Sequence, residues 1–88
     1  MNHRHRKVLH AIFEHPTNGN IAAKDIPAVL GELGAEIEER HGNRYAVTLK
    51  GHTVLFHHAH HSLPQDGVMQ IRQFLSDCDI VPERDHPL

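Results

Sequence analysis

Lys50-Gly51 stands between two runs in which apolar and polar residues alternate, residues 44–49 and 52–57 or 58, and no other feature constrains the fold as tightly. Period-two alternation marks a half-buried strand, and a two-residue loop containing glycine joins two such strands as a hairpin. Counting outward from the loop pairs Leu49 with His52, Val47 with Val54 and Tyr45 with Phe56, which defines a core face. The opposite, open face then carries Thr48 with Thr53, Ala46 with Leu55 and Arg44 with His57.

Alternation begins earlier, at residues 35–40, and predicts a preceding antiparallel strand. A three-residue loop, His41-Gly42-Asn43, keeps Ile37 on the core face; a one-residue slip would turn it outward. That register sets Arg40 beside Arg44, so the open face should present Arg40, Arg44 and His57 in a row at one end. The acids Glu36, Glu38 and Glu39 split between the two faces and read as a solvated strand edge rather than a paired-carboxylate site.

Helical spacing flanks the sheet. Val8, Leu9, Ile12 and Phe13 predict a helix over about residues 4–14, closed by Pro16, Asn18 and Gly19. Ile26, Val29, Leu30 and Leu33 predict a second, with Pro27 in its first turn and Gly34 as its stop. Val68, Ile71, Phe74 and Leu75 predict a last helix over residues 67–77, after a His- and Pro-containing loop at 59–66. Residues 78–88, with Pro82 and Pro87, read as a tail that is loosely ordered or available for a partner. The expected fold is one α+β domain spanning residues 1–88, core about 4–77, in the order α-α-β-β-β-α, with the helices on one face of a three-stranded antiparallel sheet.

At 88 residues, folding buries only somewhat more than about 60% of the unfolded chain's surface, which leaves little room for an internal cofactor cavity. Cys78 is the one cysteine, so no internal disulfide or thiolate cluster is available. No apolar run approaches the roughly 20 residues that span a bilayer, and charges interrupt the first thirteen residues. The sequence thus predicts a cytoplasmic protein with no membrane association. Its glycines have turn or cap spacing and form no phosphate-cradling loop, so neither a nucleotide nor any other cofactor is expected.

The net charge of −2 conceals an uneven distribution. Residues 40–61 carry three basic groups, no acid and six of the eleven histidines. Such a segment suits an anionic partner, and protonation near pH 6 would strengthen it. The run His3, Arg4, His5, Arg6, Lys7 is either a phosphate patch or, more simply, a solvated helix start, and His10 and His15 read as surface residues.

Two helices, a three-stranded meander and a closing helix, together with residues 15–61 (HPTNGNIAAKDIPAVLGELGAEIEERHGNRYAVTLKGHTVLFHHAHH) and the closing MQIRQFL, carry a resemblance. The chain resembles the HicA toxin family over about three quarters of its length, most closely a branch with an extra N-terminal helix. The resemblance implies a double-stranded-RNA-binding-domain-like fold. It also implies an mRNA interferase of a bacterial toxin–antitoxin pair, with mRNA as substrate and a HicB-like antitoxin as partner. Where that family has Gly-Ser-His at the start of the second strand, this chain has Gly42-Asn43-Arg44, and arginine cannot serve as a general base. The family's histidine at the end of the third strand matches His57 or its neighbour, and His60 falls where this branch often has another.

Metal-free RNA cleavage needs a base for the 2′-hydroxyl, an acid for the leaving oxygen and cations for the charge that builds on phosphorus. His57 as the acid–base group, Arg44 as the phosphate clamp and His60 nearby form the candidate catalytic set. Arg40, Asn43, Arg44, Lys50, His58 and His61 are candidate RNA contacts, and Leu55, apolar on the open face, is a candidate antitoxin contact. Two other readings stay open. Arg44 and His57 are either catalytic or ordinary exposed residues that touch phosphate without chemistry, as in a silent binding module; and His57, His58, His60 and His61 have the ligand type for Zn²⁺ or Ni²⁺ without an acidic or cysteine partner.

Overall fold

The computed structural model describes residues 1–88, in the order α1 (His3–Ile12), α2 (Asp25–Glu32), β1 (Glu36–Arg40), β2 (Arg44–Leu49), β3 (His52–His57), α3 (Gln65–Asp77) and α4 (Pro82–Asp85). The protein is a small α+β domain whose antiparallel sheet runs β1-β2-β3. Lys50 and Gly51 both adopt positive φ, 49° and 82°, the backbone of a type I′ turn, whose twist suits a two-residue hairpin. Every pair counted outward from that turn is present, from Leu49 opposite His52 to Arg44 opposite His57. On the other side of β2, Ile37 faces Val47 and Arg40 faces Arg44, as the three-residue loop requires.

The face carrying Tyr45, Val47, Leu49 and Phe56 is buried and joins one hydrophobic cluster with Leu9 and Ile12 of α1, Ile26, Val29 and Leu30 of α2, and Val68, Ile71, Phe74 and Leu75 of α3. The helices therefore cover one face of the sheet and leave the other open. His52 shares the core face by register but is exposed, because it lies at the hairpin end of an edge strand. Phe56 bridges strand and helix, 5.9 Å from the Tyr45 ring and 5.7 Å edge-on from Phe74.

Helix ends follow local chemistry. Asn2 caps α1, its side chain accepting from the His5 amide at 2.8 Å. After α2, Gly34 takes φ 97°, its amide donates to the Gly31 carbonyl, and the Ala35 amide donates to the Leu30 carbonyl. That pair of bonds is the Schellman closure for which glycine is suited. Helix α1 stops at Ile12, two residues before the expected end, as its backbone tightens to bonds from Phe13 to His10 and from Glu14 to Ala11. Helix α3 starts two residues earlier than its apolar stripe suggests, at Gln65.

The expectation of a loose tail after residue 77 is overturned. Cys78, Ile80 and Pro82 are buried, α4 packs against α1, and His10 Nε2 donates to the His86 carbonyl at 2.8 Å. Ile80 supplies apolar area that the three-helix core leaves uncovered, so the folded unit extends to the α4 region, and His10 is half-buried rather than a free surface residue. The basic run of α1 is also largely engaged within the fold: Arg4 lies 2.9 Å from Asp25, His5 2.9 Å from Glu32, and Arg6 donates to the Met1 carbonyl. No helix is long and apolar enough to cross a membrane.

Candidate functional site

The open face can be read in three rows. Glu36, Thr48 and Thr53 form the row nearest the hairpin, Glu38, Ala46 and Leu55 the middle row, and Arg40, Arg44 and His57 the far row. The two arginines are balanced by two glutamates, so the open face is not uniformly basic even though residues 40–61 contain no acid. The acids come from β1, and Glu38 reaches the Arg40 Nε at 3.4 Å. Both partners are well exposed, and such a pair is worth at most about 1 kcal/mol, so Arg40 stays free to exchange it for a phosphate. Positive charge is concentrated only in the far row.

Three of the expected contacts meet there. Gly42 (φ 77°) and Asn43 (φ 59°) turn the chain between β1 and β2, and the Arg44 Nε donates to the His41 carbonyl at 3.0 Å, bending its guanidinium onto that turn. The Asn43 carbonyl accepts from the His58 amide at 2.9 Å, which ties this turn to the end of β3. Cross-strand neighbours of this kind have Cβ atoms about 5 Å apart, so Arg44 and His57 project from adjacent positions on the open face. Leu55 is 45% exposed in the middle row, on the face where its register puts it.

The remaining expected residues are dispersed. Lys50 sits in the hairpin at the opposite end of β2, about 20 Å of strand from Arg44, and does not belong with the others. His58 falls on the helix-side face, where its ring lies 4.5 Å from that of Tyr45 and its Nε2 lies 2.8 Å from the Glu39 carboxylate. His60 and His61 line a separate cleft with Asn20, Ala22, Lys24 and Ser62, so His60 is not grouped with Arg44 and His57. A run that reads as one histidine cluster is divided because successive residues at a strand end point to opposite faces. No group of three or more histidine, cysteine or acidic side chains is placed to hold a metal ion.

Sequence reasoning missed one arrangement. Between the end of β3 and the start of α3 lies a pocket of about 220 Å³ whose lining includes Tyr45, His57, His58, Asp66 and Gln70. Glu39 orients the imidazole of His58, as a carboxylate orients the histidine of an acid–base pair. Burial, with the Glu39 carboxylate adding to it, pushes the Tyr45 hydroxyl up to about 12, so it remains a neutral donor. The signal was available: the register that puts Ile37 on the core face also puts Glu39 there, opposite Tyr45.

Chemically, the far row offers a cation fixed at every accessible pH beside a titratable imidazole, a combination that binds phosphate and can move a proton next to it. Comparison with family models, with curated proteins and with solved structures finds no match.

Proposed function

We propose that this protein is a HicA-like toxin with a double-stranded-RNA-binding-domain-like fold, which binds mRNA at the Arg40–Arg44–His57 end of its open sheet and cleaves it without a metal. The observation that carries the reading is the direct opposition of Arg44 and His57 on a sheet face that the helices leave uncovered. Arg44 clamps the phosphate through its fork of donors, and His57 supplies the acid–base group. A HicB-like antitoxin would neutralise it by covering that face, with Leu55 as an apolar anchor beneath the partner.

The test is incubation of the free protein with a long RNA in excess EDTA, beside His57→Ala and His58→Ala variants shown to be folded. The reading expects cleavage by the wild type and by His58→Ala, and none by His57→Ala. Cleavage lost only in His58→Ala would move the acid–base role to the His58–Glu39 pair.

A second reading, a catalytically silent RNA-binding or protein-interaction module, is favoured by a specific observation. Neither the hydrogen bonds nor the ion pairs of the chain give His57 a carboxylate to orient its ring, whereas His58 has one. RNA left intact but bound by all three proteins would establish that reading instead.

A further inference from the structure

We infer that the cleft between the segment before α2 and the loop after β3 is a second phosphodiester subsite, holding a neighbouring phosphate of the single-stranded RNA bound at Arg44 and His57. The inference rests on the RNA-binding reading above.

The cleft is built rather than incidental. Ala22 and Ser62 form an isolated antiparallel bridge, the Ala23 amide donates to the His61 carbonyl at 2.9 Å, and the Leu63 amide donates to the Ile21 carbonyl at 2.7 Å. Ile21, Ala23 and Leu63 are buried in the core. Extended backbone at the bridge sends alternate residues to opposite sides, so Asn20, Ala22 and Ser62 are left facing the cleft, and Lys24 lines it from the helical turn that opens α2. Anchoring on the core presets these walls before any ligand arrives.

Its chemistry is that of an anion site. Lys24, His60 and His61 line it with the polar side chains of Asn20 and Ser62, and no acid does. The adjacent Asp25 is held by Arg4 at 2.9 Å. Each of the chain's ion pairs uses other residues, so Lys24, His60 and His61 have no internal counter-charge. Two imidazoles without a third ligand do not make a metal site. The space is about 310 Å³ and open to solvent, which suits a charged group on a passing chain better than an enclosed small molecule. Only two residues separate His57 from His60, three steps that span at most about 11 Å, so one strand reaches both places.

The experiment uses an uncleavable 2′-O-methyl oligonucleotide and inorganic phosphate as probes. They are titrated into the full chain and into a Lys24→Gln/His60→Gln double variant, whose exposed positions leave the core untouched. For the wild type, phosphate should shift the amide resonances of residues 60–62 saturably. In the double variant that response should vanish. Its oligonucleotide affinity should fall about tenfold at low salt, and its log–log salt slope should lose about 0.7 for the missing phosphate. An oligonucleotide bound equally well by both proteins, with equal slopes, overturns the subsite and leaves the RNA reading intact. A wild type that ignores the oligonucleotide but retains the phosphate response overturns RNA as the occupant and fails the RNA reading, leaving an anion site for some other partner. A wild type without the phosphate response overturns the cleft as an anion site.

Discussion

Arg44 and His57 are cross-strand partners on the open face, yet the Arg44 Nε donates to the His41 carbonyl at 3.0 Å, which bends the guanidinium onto the turn preceding its own strand. The turn thereby fixes where the cation sits relative to the imidazole. Gly42 suits this turn through its positive φ, and a Cβ there would stand 3.4 Å from the Arg44 Nε, in contact with it. Replacing Gly42 by alanine adds strain at φ 77°, about 1–2 kcal/mol, and crowds the turn onto which Arg44 is bent. Urea unfolding should show a lower midpoint, and RNA affinity should fall further than the loss of stability explains.

If RNA binds as proposed, Arg44→Gln removes one phosphate contact without altering the turn's glycine. The salt dependence of RNA binding should flatten by about 0.7 in log–log slope, with Lys50→Gln unchanged because Lys50 lies at the far end of the sheet. Equal effects of the two substitutions would point to diffuse charge rather than a site.

Arg72 closes α1 from another helix. Its Nε donates to the Ile12 carbonyl at 2.8 Å and its Nη2 to the Glu14 carbonyl at 3.0 Å, groups that have no intrahelical partner. Arg72→Met should cost about 1 kcal/mol by removing both bonds from groups that water only partly reaches, seen as a lower urea midpoint at constant m. Arg72→Lys should recover only part, because one ammonium lacks the two-pronged geometry. An unaltered midpoint in Arg72→Met would remove this link from the account of stability.

The C-terminal segment belongs to the core, so Ile80→Ala should destabilise by about 2–5 kcal/mol, the range for a buried isoleucine. Cys78 reports the same packing. Its thiol donates to the Leu49 carbonyl at 3.3 Å, and burial, with Asp77 nearby, raises its pKa. A thiol reagent should label it only as fast as the protein opens, and faster in Ile80→Ala. Immediate stoichiometric labelling of the native wild type would show the segment to be loose after all.

Asp85 holds α4 together, accepting from the Arg84 guanidinium at 2.9 Å and from the Val81 amide at 3.0 Å. The hydrogen bond from Arg84, followed by that from Val81, holds its carboxyl far below the ordinary value of 3.8. A lowered carboxylate contributes stability that is fully present above that ordinary value and is lost as the pH falls through the lowered one. The Tm difference between wild type and Asp85→Asn should therefore be constant near neutrality and shrink below about pH 4.

Much of the sheet was legible in the sequence because its determinants are local. Period-two alternation assigns faces, Lys50-Gly51 demands a tight turn, and Ile37 has only one register in which it is buried. The open-face row Arg40, Arg44 and His57 follows from that arithmetic, as does the exposure of Leu55. Helix α4 was not legible: its four residues are too short for periodicity, and Pro82 and Pro87 read as breakers. Only contact with α1 and the core shows that Ile80 has a place to be buried.

The sequence by itself determined the order of the main elements and the strand register, because each depends on residues a few positions apart. The tertiary structure alone decided which histidines share a surface. His57, His58 and His60 are nearly adjacent in the chain, yet His57 pairs with Arg44 on the open face and meets His58 only at the rim of one pocket, His58 lies against Tyr45 with Glu39 as its partner, and His60 joins Lys24 in a cleft built by the Ala22–Ser62 bridge. Their directions are set by the end of a strand and by a bridge between distant segments. The pairing of β1 with β2 likewise put Glu36 and Glu38 on the same open face as the arginines, so that charge read along the chain differs from charge read across the sheet.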